Sequence, residues 1–155
     1  MKQKIVLSAA SLNQLPLDWE GNRSRILQAI SQASSAGAAL VCLPELCISG
    51  YGCEDQFFAP FTAAKSWDSL ELIASAVPEM VAVLGLALPF EGELYNVSAI
   101  LAKGKIQALI PKQFLADDGV HYEPRWFKAW PKGKRTTYKG IPLGDYRLHF
   151  AGITL

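Results

Sequence analysis

Residues 38–46 have the sequence AALVCLPEL, an apolar run that ends in a proline and a carboxylate. An unbroken apolar run of this length predicts a short strand that is buried on both faces. Residues 4–10 predict another short strand, and the chain between the two strands has helical spacing. The order strand, helix, strand indicates a crossover unit with a buried sheet, so the sequence predicts an α/β fold.

The helix of this unit has recognisable ends. Asp18 or Asn22 is suited to cap its first turn, and Gly37 follows its last turn, where positive φ is often needed. Three apolar residues share one face of the predicted helix: Ile26, Leu27 and Ile30.

A second helix is predicted over residues 57–77, ending before Pro78. Its candidate core residues are Phe61, Leu70, Ile73 and Val77. Strands separated by tight turns then follow over residues 80–88, 94–102, 105–110 and 146–155, with a small hairpin over 136–143. Residues 111–135 are aromatic and basic without clear periodicity. The second half therefore adds antiparallel hairpins to the α/β fold.

The composition is that of a folded globular protein. The chain has 155 residues, 50% hydrophobic and 19% charged, with a net charge of +1. A chain of this length buries about 70% of its unfolded surface, and one domain is the simplest expectation. The longest apolar run, residues 80–90, is too short to cross a bilayer, so no membrane partner is expected. Three cysteines without an export signal indicate free thiols and a cytoplasmic location.

Two charged residues follow apolar strands. Glu45 comes just after the run at residues 38–43, and Lys112 comes after the strand at residues 105–110. In open α/β sheets, ligands gather at the carboxyl ends of strands. Glu45 there is suited to act as a general base, and Lys112 to stabilise an oxyanion. The alternative for both is an ordinary solvated side chain.

Other candidate sites are weaker. Residues 117–127 contain paired acids and His121, but the chain lacks the His and Cys spacing of a zinc site. Asp117 and Asp118 leave Mg²⁺ open as an alternative, although adjacent acids are usually solvated, and no metal is expected. Cys47 and Cys53 follow Glu45 in a glycine-rich loop, where an activated thiol is the alternative to inert packing. Cys42 is predicted to lie in the core.

A basic segment lies at residues 125–139. Six basic side chains fall there with interleaved aromatic residues: Arg125, Lys128, Lys132, Lys134, Arg135 and Lys139. This pattern also occurs in nucleic-acid-binding proteins. Because the overall charge is near zero, a solvated loop or a contact with another domain is favoured, and no nucleic-acid partner is expected.

In combination, these segments resemble the nitrilase superfamily of carbon–nitrogen hydrolases. Residues 43–45 (LPE) with Gly50-Tyr51 look like the first motif of that family, and residues 110–112 (IPK) look like the second. Residues 95–99 (YNVSA) resemble the strand that precedes the lysine. The resemblance implies a nitrilase-like α-β-β-α sandwich, of which this chain would hold only the N-terminal part.

A narrower resemblance is to the glutaminase domain of glutamine-dependent NAD synthetases. The matching residues are Lys112, Leu115-Ala116, Asp118-Gly119, Glu123, Arg125-Trp126-Phe127 and Trp130. The resemblance covers essentially the whole chain, so residues 1–155 are expected to be a partial carbon–nitrogen hydrolase (glutaminase) domain. An ATP-dependent synthetase domain would lie outside this chain.

The resemblance implies amide hydrolysis through a thioester. Glu45 would be the general base toward a cysteine thiol, and Lys112 would stabilise the oxyanion. Glu123, Asp118 and Tyr51 would contact the substrate, glutamine. The ammonia released would amidate deamido-NAD to NAD, with ATP and Mg²⁺ bound only in the synthetase domain and no cofactor in the glutaminase step.

This sequence departs from the family pattern at the nucleophile. The catalytic cysteine is expected after the strand that residues 148–155 resemble, and it is absent from this chain. The chain is therefore expected to be a fragment with negligible glutaminase activity on its own. Its unpaired strands and apolar faces predict homo-oligomers or aggregates.

Two further interpretations remain open. One is another nitrilase-type amidase with a different small amide as substrate, which the segment at residues 125–127 disfavours. The other is a non-catalytic, degenerate homologue that serves as a binding or assembly subunit, which the intact Glu45, Lys112 and Glu123 disfavour.

Overall fold

The computed structural model describes residues 4–150 and 153–154. A seven-stranded mixed sheet has the strand order β1-β2-β3-β4-β5-β7-β6. Its strands are β1 Leu7–Ala9, β2 Leu40–Cys42, β3 Val81–Phe90, β4 Glu93–Ala102, β5 Lys105–Pro111, β6 Arg135–Tyr138 and β7 Ile141–Gly144. β1, β2 and β3 pair in parallel, while β4 and β6 run against their neighbours. The predicted α/β class with later antiparallel hairpins is confirmed.

The crossover unit forms as predicted. Helix α1, Trp19–Ser35, joins β1 to β2, and Gly37 follows its end. Asp18 is the N-cap, because its Oδ1 accepts the Gly21 N–H at 3.1 Å. Asn22, the other capping candidate, is instead buried within the helix.

Helix α2, Pro60–Ala76, begins later than predicted. A short 3-10 helix, Glu54–Phe58, precedes it, and Pro60 occupies the first helical turn, where its missing N–H costs nothing. The predicted core residues Leu70, Ile73 and Val77 are buried, but Phe61 is 50% exposed. That prediction was wrong because Phe61 and Leu70 are about two and a half turns apart, which places them on opposite sides of the helix.

The predicted hairpins join β3 to β4, β4 to β5 and β6 to β7. In their two-residue turns, Glu91-Gly92, Lys103-Gly104 and Lys139-Gly140, both positions have positive φ, as primed turns require. The single final strand predicted over residues 146–155 is wrong. Two short strands, β8 His149–Phe150 and β9 Ile153–Thr154, pair antiparallel with each other. The remaining positions of that prediction, 151, 152 and 155, lie outside the described residues.

The two faces of the sheet differ. Both helices pack on one face, where Val41 and Leu84 belong to the main core. The opposite face is not packed by α1 or α2, and it carries a smaller apolar cluster that includes Val81 and Ile100. Cys42 lies in β2 next to Val41 and is exposed. The prediction of a core cysteine was therefore wrong, because alternate residues of a strand point to opposite faces.

None of the helices in the described part of the chain is both long and apolar enough to cross a membrane.

Candidate active site

Glu45 lies in a tight turn after β2 that packs directly on β3. The Gly85 N–H donates to the Pro44 carbonyl at 3.3 Å, and Leu46 has a φ of 51°. A Cβ at position 85 would lie only 2.8 Å from the Glu45 Cα. The turn therefore reaches its position only because residue 85 is glycine.

Lys112 is fixed by its backbone on both sides. It follows β5 directly, and its N–H donates to the Asn96 carbonyl at 2.8 Å. Its own carbonyl accepts the Trp130 N–H at 2.9 Å. β2 and β5 run in the same direction, so Glu45 and Lys112 lie at the same end of the sheet.

Glu123 enters the site from a loop. It begins a short 3-10 turn, is 2% exposed, and donates its N–H to the Ala116 carbonyl at 3.1 Å. Its Oε2 accepts the Ala116 N–H at 2.6 Å. This pair of hydrogen bonds closes the base of the loop over residues 117–122 and fixes the Glu123 carboxylate.

The three charged groups meet in one cluster. Lys112 Nζ lies 2.8 Å from Glu45 Oε1, 2.9 Å from Glu123 Oε1 and 2.9 Å from Glu123 Oε2. Asn96 Nδ2 donates to the same two carboxylates, at 2.7 Å to Glu45 Oε1 and 3.2 Å to Glu123 Oε1. We call these four residues, Glu45, Asn96, Lys112 and Glu123, the carboxylate–lysine cluster.

The contacts within the cluster favour the charged forms of Lys112 and Glu123. Partial burial works to lower the pKa of Lys112, but hydrogen bonds to Glu45 and Glu123 outweigh it and hold that pKa above its ordinary value. Burial likewise works to raise the pKa of Glu123, but the donors Lys112 and Ala116 outweigh it and hold that pKa below its ordinary value. An ammonium therefore lies beside the carboxylates, ready to face a developing oxyanion.

A cavity adjoins the cluster on the sheet face opposite α1 and α2. Its volume is about 340 Å³, and its lining includes Glu45, Lys112, Asn96, Cys42 and Gly85. Cavities of about 300 Å³ and more are typical of small-molecule sites. A larger cavity of about 630 Å³ lies beside α2, shares no lining residue with this one and contains no member of the cluster.

The predicted substrate residues Tyr51 and Asp118 differ in their relation to the carboxylate–lysine cluster. Partial burial and the negative charges of Glu123 and Glu45 raise the pKa of Tyr51, so its hydroxyl is within electrostatic reach of the cluster. Asp118 instead accepts hydrogen bonds from the backbone and ring of His121, at 3.0 and 2.9 Å, near the exposed loop tip. Contact of either residue with a substrate stays a prediction.

The two cysteines that follow Glu45 are buried. Desolvation raises the pKa of Cys47 to about 12, and it also raises the pKa of Cys53. Cys53 Sγ donates to the carbonyls of Ser49 and Gly50, both at 3.1 Å. A thiolate is the reactive form of cysteine, so this environment favours the packing interpretation over the nucleophile interpretation.

A thiol titration is expected to separate the three cysteines. Under native conditions, an aromatic disulfide reagent should label one equivalent, because Cys42 is exposed whereas Cys47 and Cys53 are buried. In denaturant it should label all three. Cys42→Ser is the matched control and should remove the native equivalent only. Rapid native labelling in that variant would contradict the burial of the other two thiols.

Half of the basic side chains at residues 125–139 pair with nearby acids. Acid partners lie within ion-pair distance of three of its side chains: Arg125 with Asp55, Lys128 with Glu93 and Lys134 with Glu91. Lys139 lies over the Trp67 ring, 4.4 Å from its centroid. These contacts favour the solvated-loop interpretation over a nucleic-acid surface.

The sequence places the chain in a known family. Residues 7–145 match the family described as carbon-nitrogen hydrolase. The chain belongs to the carbon-nitrogen hydrolase family. Its similar curated proteins include glutamine-dependent NAD(+) synthetases from Drosophila melanogaster, 38% identical over 92% of this chain, and from Homo sapiens, 35% identical over 92%. The matches cover 18% and 20% of those two proteins, so the chain spans about a fifth of their length.

Two solved structures have the same fold as this chain. A glutamine-dependent NAD(+) synthetase from Cytophaga hutchinsonii matches with a TM-score of 0.93 and 40% identity, over 97% of this chain and 27% of that one. An amidase from Nesterenkonia sp. matches with a TM-score of 0.69 and 20% identity, over 88% of this chain and 52% of that one. The second likeness concerns the fold alone. The predicted nitrilase-like fold is confirmed.

The structure brings together Glu45, Lys112 and Glu123, but sequence reasoning missed the fourth member of the cluster. Asn96 lies in β4 and is buried, 4% exposed. The signal available in the sequence was a carboxamide between the apolar residues Tyr95 and Val97, since an amide buried there needs specific partners.

Proposed function

We propose that this chain supplies the base and the oxyanion stabiliser of a glutamine-hydrolysing site in a glutamine-dependent NAD synthetase. The observation that carries this proposal is the ion pair of Glu45 and Lys112, 2.8 Å apart at the carboxyl ends of β2 and β5. The names of the relatives supply the substrate, glutamine, and the product, NAD.

The reaction would proceed by acyl transfer. Glu45 takes the proton of a cysteine thiol, and the sulfur attacks the side-chain amide carbon of glutamine. Lys112 stabilises the oxyanion of the tetrahedral intermediate. Glu45 then gives its proton to the leaving nitrogen, and the intermediate collapses to a thioester and releases ammonia. Water then hydrolyses the thioester, giving glutamate and the free thiol. Glu123 holds the Lys112 ammonium in place throughout.

The nucleophile is assigned to a cysteine outside this chain. In the family pattern the nucleophile follows the lysine in chain order, whereas Cys42, Cys47 and Cys53 all precede Lys112. Within residues 4–150 and 153–154, no group of three His, Cys, Asp or Glu side chains is placed to hold a metal. Independently of that finding, we propose that ATP and Mg²⁺ bind in the synthetase part of a longer protein and that the hydrolytic step uses no cofactor.

A chimera tests this proposal. Residues 4–150 would replace the matching segment of the Cytophaga hutchinsonii synthetase, whose fold they share with a TM-score of 0.93. We expect the chimera to form NAD from deamido-NAD with glutamine as nitrogen source. Glu45→Gln in the grafted segment should lower this rate by about a hundredfold or more, as loss of a general base does.

The nitrogen source provides the control. NAD formation from added ammonium salts bypasses glutamine hydrolysis, so it should be equal in the chimera and in its Glu45→Gln variant. Equal glutamine-dependent rates in the two proteins would contradict the proposal. So would measurable glutaminase activity of the isolated chain, because it would place a nucleophile among its own residues.

We also propose that this chain acts in the cytoplasm, because its three cysteines are free thiols. We further propose that the isolated chain forms homo-oligomers. Leu7, on the short edge strand β1, is 63% exposed on the sheet face opposite α1 and α2. Light scattering of the 16.9 kDa chain should therefore give masses above one protomer. Leu7→Lys should lower the mean mass. A wild-type monomer at all concentrations would contradict this expectation.

A further inference from the structure

We propose that Asn96 is a positioning residue of this site, and that it orients Glu45 so that Oε2, not Oε1, takes the proton. This inference rests on the proposed function. It rests equally on the carboxylate–lysine cluster, in which Asn96 is the one uncharged member.

The position of Asn96 is set by the sheet. It pairs with Ala87 of β3, and its own carbonyl accepts the Lys112 N–H at 2.8 Å. Its side chain is on the same sheet face as Gly85, the face where the Glu45 turn rests. The backbone of β4 thus positions both the Asn96 amide, which contacts the two carboxylates, and Lys112, which pairs with them.

The chemistry of a carboxamide suits this place. Two carboxylates and one ammonium leave a net negative charge, and the carboxylates repel each other when they share one partner. Asn96 Nδ2 carries two hydrogens and contacts both groups, at 2.7 Å to Glu45 and 3.2 Å to Glu123. An amide nitrogen donates without titrating, so it holds both carboxylates without exchanging a proton with either.

The contacts divide the oxygen atoms of Glu45 into two kinds. Among the described residues, the side-chain donors to Glu45 are Asn96 and Lys112, and both bond to Oε1. Glu123 is different, since both of its oxygens accept hydrogen bonds and its side chain is 3% exposed. Glu45 is 39% exposed and keeps Oε2 available beside the cavity. The Glu123 carboxylate therefore has a structural role, and the Glu45 carboxylate keeps one oxygen available to act as a base.

Two variants and one control test this role. Asn96→Leu removes both N–H donors at similar volume, and Asn96→Asp removes them while keeping the shape. Gln107→Leu is the matched control, because Gln107 Nε2 donates to the Ala102 carbonyl at 2.8 Å in the same sheet without touching the cluster. Thermal melting identifies which variants fold.

The first readout uses the chain itself. Carboxyl ¹³C resonances of labelled glutamate, assigned through Glu123→Gln, follow the ionisation of Glu123. We expect its pKa to rise in Asn96→Leu, and to rise further in Asn96→Asp, where a third carboxylate is added. Gln107→Leu should leave it unchanged. An unchanged titration in the folded Asn96 variants would overturn the proposal.

The second readout uses the chimera. Loss of Asn96 should lower kcat for glutamine hydrolysis by about a hundredfold with KM little changed, because a misplaced base slows chemistry more than binding. A higher KM at unchanged kcat, or failure of both Asn96 variants to fold, would make Asn96 a binding or structural residue and overturn the proposal. If the chimera with Asn96 intact is inactive, the proposed function fails, and the Glu123 titration alone then decides whether Asn96 orients the carboxylates.

Discussion

Lys112→Met is expected to lower the free energy of unfolding by about 2 kcal/mol at neutral pH. Removing one member of a buried ion pair typically costs about 3–5 kcal/mol, because the other charge stays buried without a partner. Here Glu123 is buried, but Lys112 is 31% exposed and Glu45 is 39% exposed, so water screens part of the loss. Urea unfolding at constant ionic strength measures the difference.

A double variant isolates the cause. Glu123→Gln combined with Lys112→Met replaces the stranded carboxylate with a neutral amide, so it should recover most of the lost stability. Lys128→Met is the matched surface control, since Lys128 pairs with Glu93 where both side chains are exposed, and it should have little effect. Equal losses in Lys112→Met and in the double variant would contradict the buried-charge explanation.

The stability difference between wild type and Lys112→Met should depend on pH. The pKa of Glu123 is lowered by folding, so its stabilisation is complete above the ordinary value of 4.5 and is lost as the pH falls through the folded value. The pKa of Lys112 is raised, so its stabilisation is complete below 10.5 and is lost as the pH rises through the folded value. The difference should therefore be largest between these two limits and should shrink outside them.

Gly85→Ala is expected to damage both stability and the site. The added methyl group would lie 2.8 Å from the Glu45 Cα, so the turn after β2 must move away from β3. Overpacking of this kind costs about 1–3 kcal/mol. A displacement of the base by about 1 Å is enough to lower glutamine-dependent turnover of the chimera about a hundredfold.

Gly52→Ala provides the matched comparison, since a Cβ there would meet only the Pro16 side chain, at 3.6 Å. It should leave both unfolding and turnover close to wild type. Ammonium-dependent NAD formation should remain in both variants if the chimera folds. A Gly85→Ala variant as stable as wild type would contradict this expectation, because the turn would then accommodate the added methyl group without strain.

The positions of Glu45 and Lys112 could be predicted because each follows an apolar strand, and such strands are recognisable from local sequence. The role of Glu123 depended on resemblance. Its segment has no periodicity, and its place is set by contacts between residues distant in sequence, such as the packing of Phe57 on Phe127 with ring centroids 5.2 Å apart. No local pattern contains that information.

The errors have physical causes of the same kind. Cys42 lies in an apolar run that resembles a strand buried on both faces, but among the described residues nothing covers its side of the sheet well enough to bury it. Asn96 was overlooked as a functional residue because a polar residue in an alternating strand usually faces solvent. Its burial against two carboxylates depends on Glu45 and Glu123, which belong to other parts of the chain.

The hydrogen bonds between Ala116 and Glu123 close the base of the loop over residues 117–122, so the Glu123 carboxylate is held independently of the loop. A bridge between Asp117 and Tyr122 closes the loop again just beyond this point. Changes in its sequence or length are therefore absorbed beyond the closed base and leave the Glu123 carboxylate where it is. In evolutionary terms, insertions and deletions in this loop should be tolerated at little cost to the geometry of the carboxylate–lysine cluster.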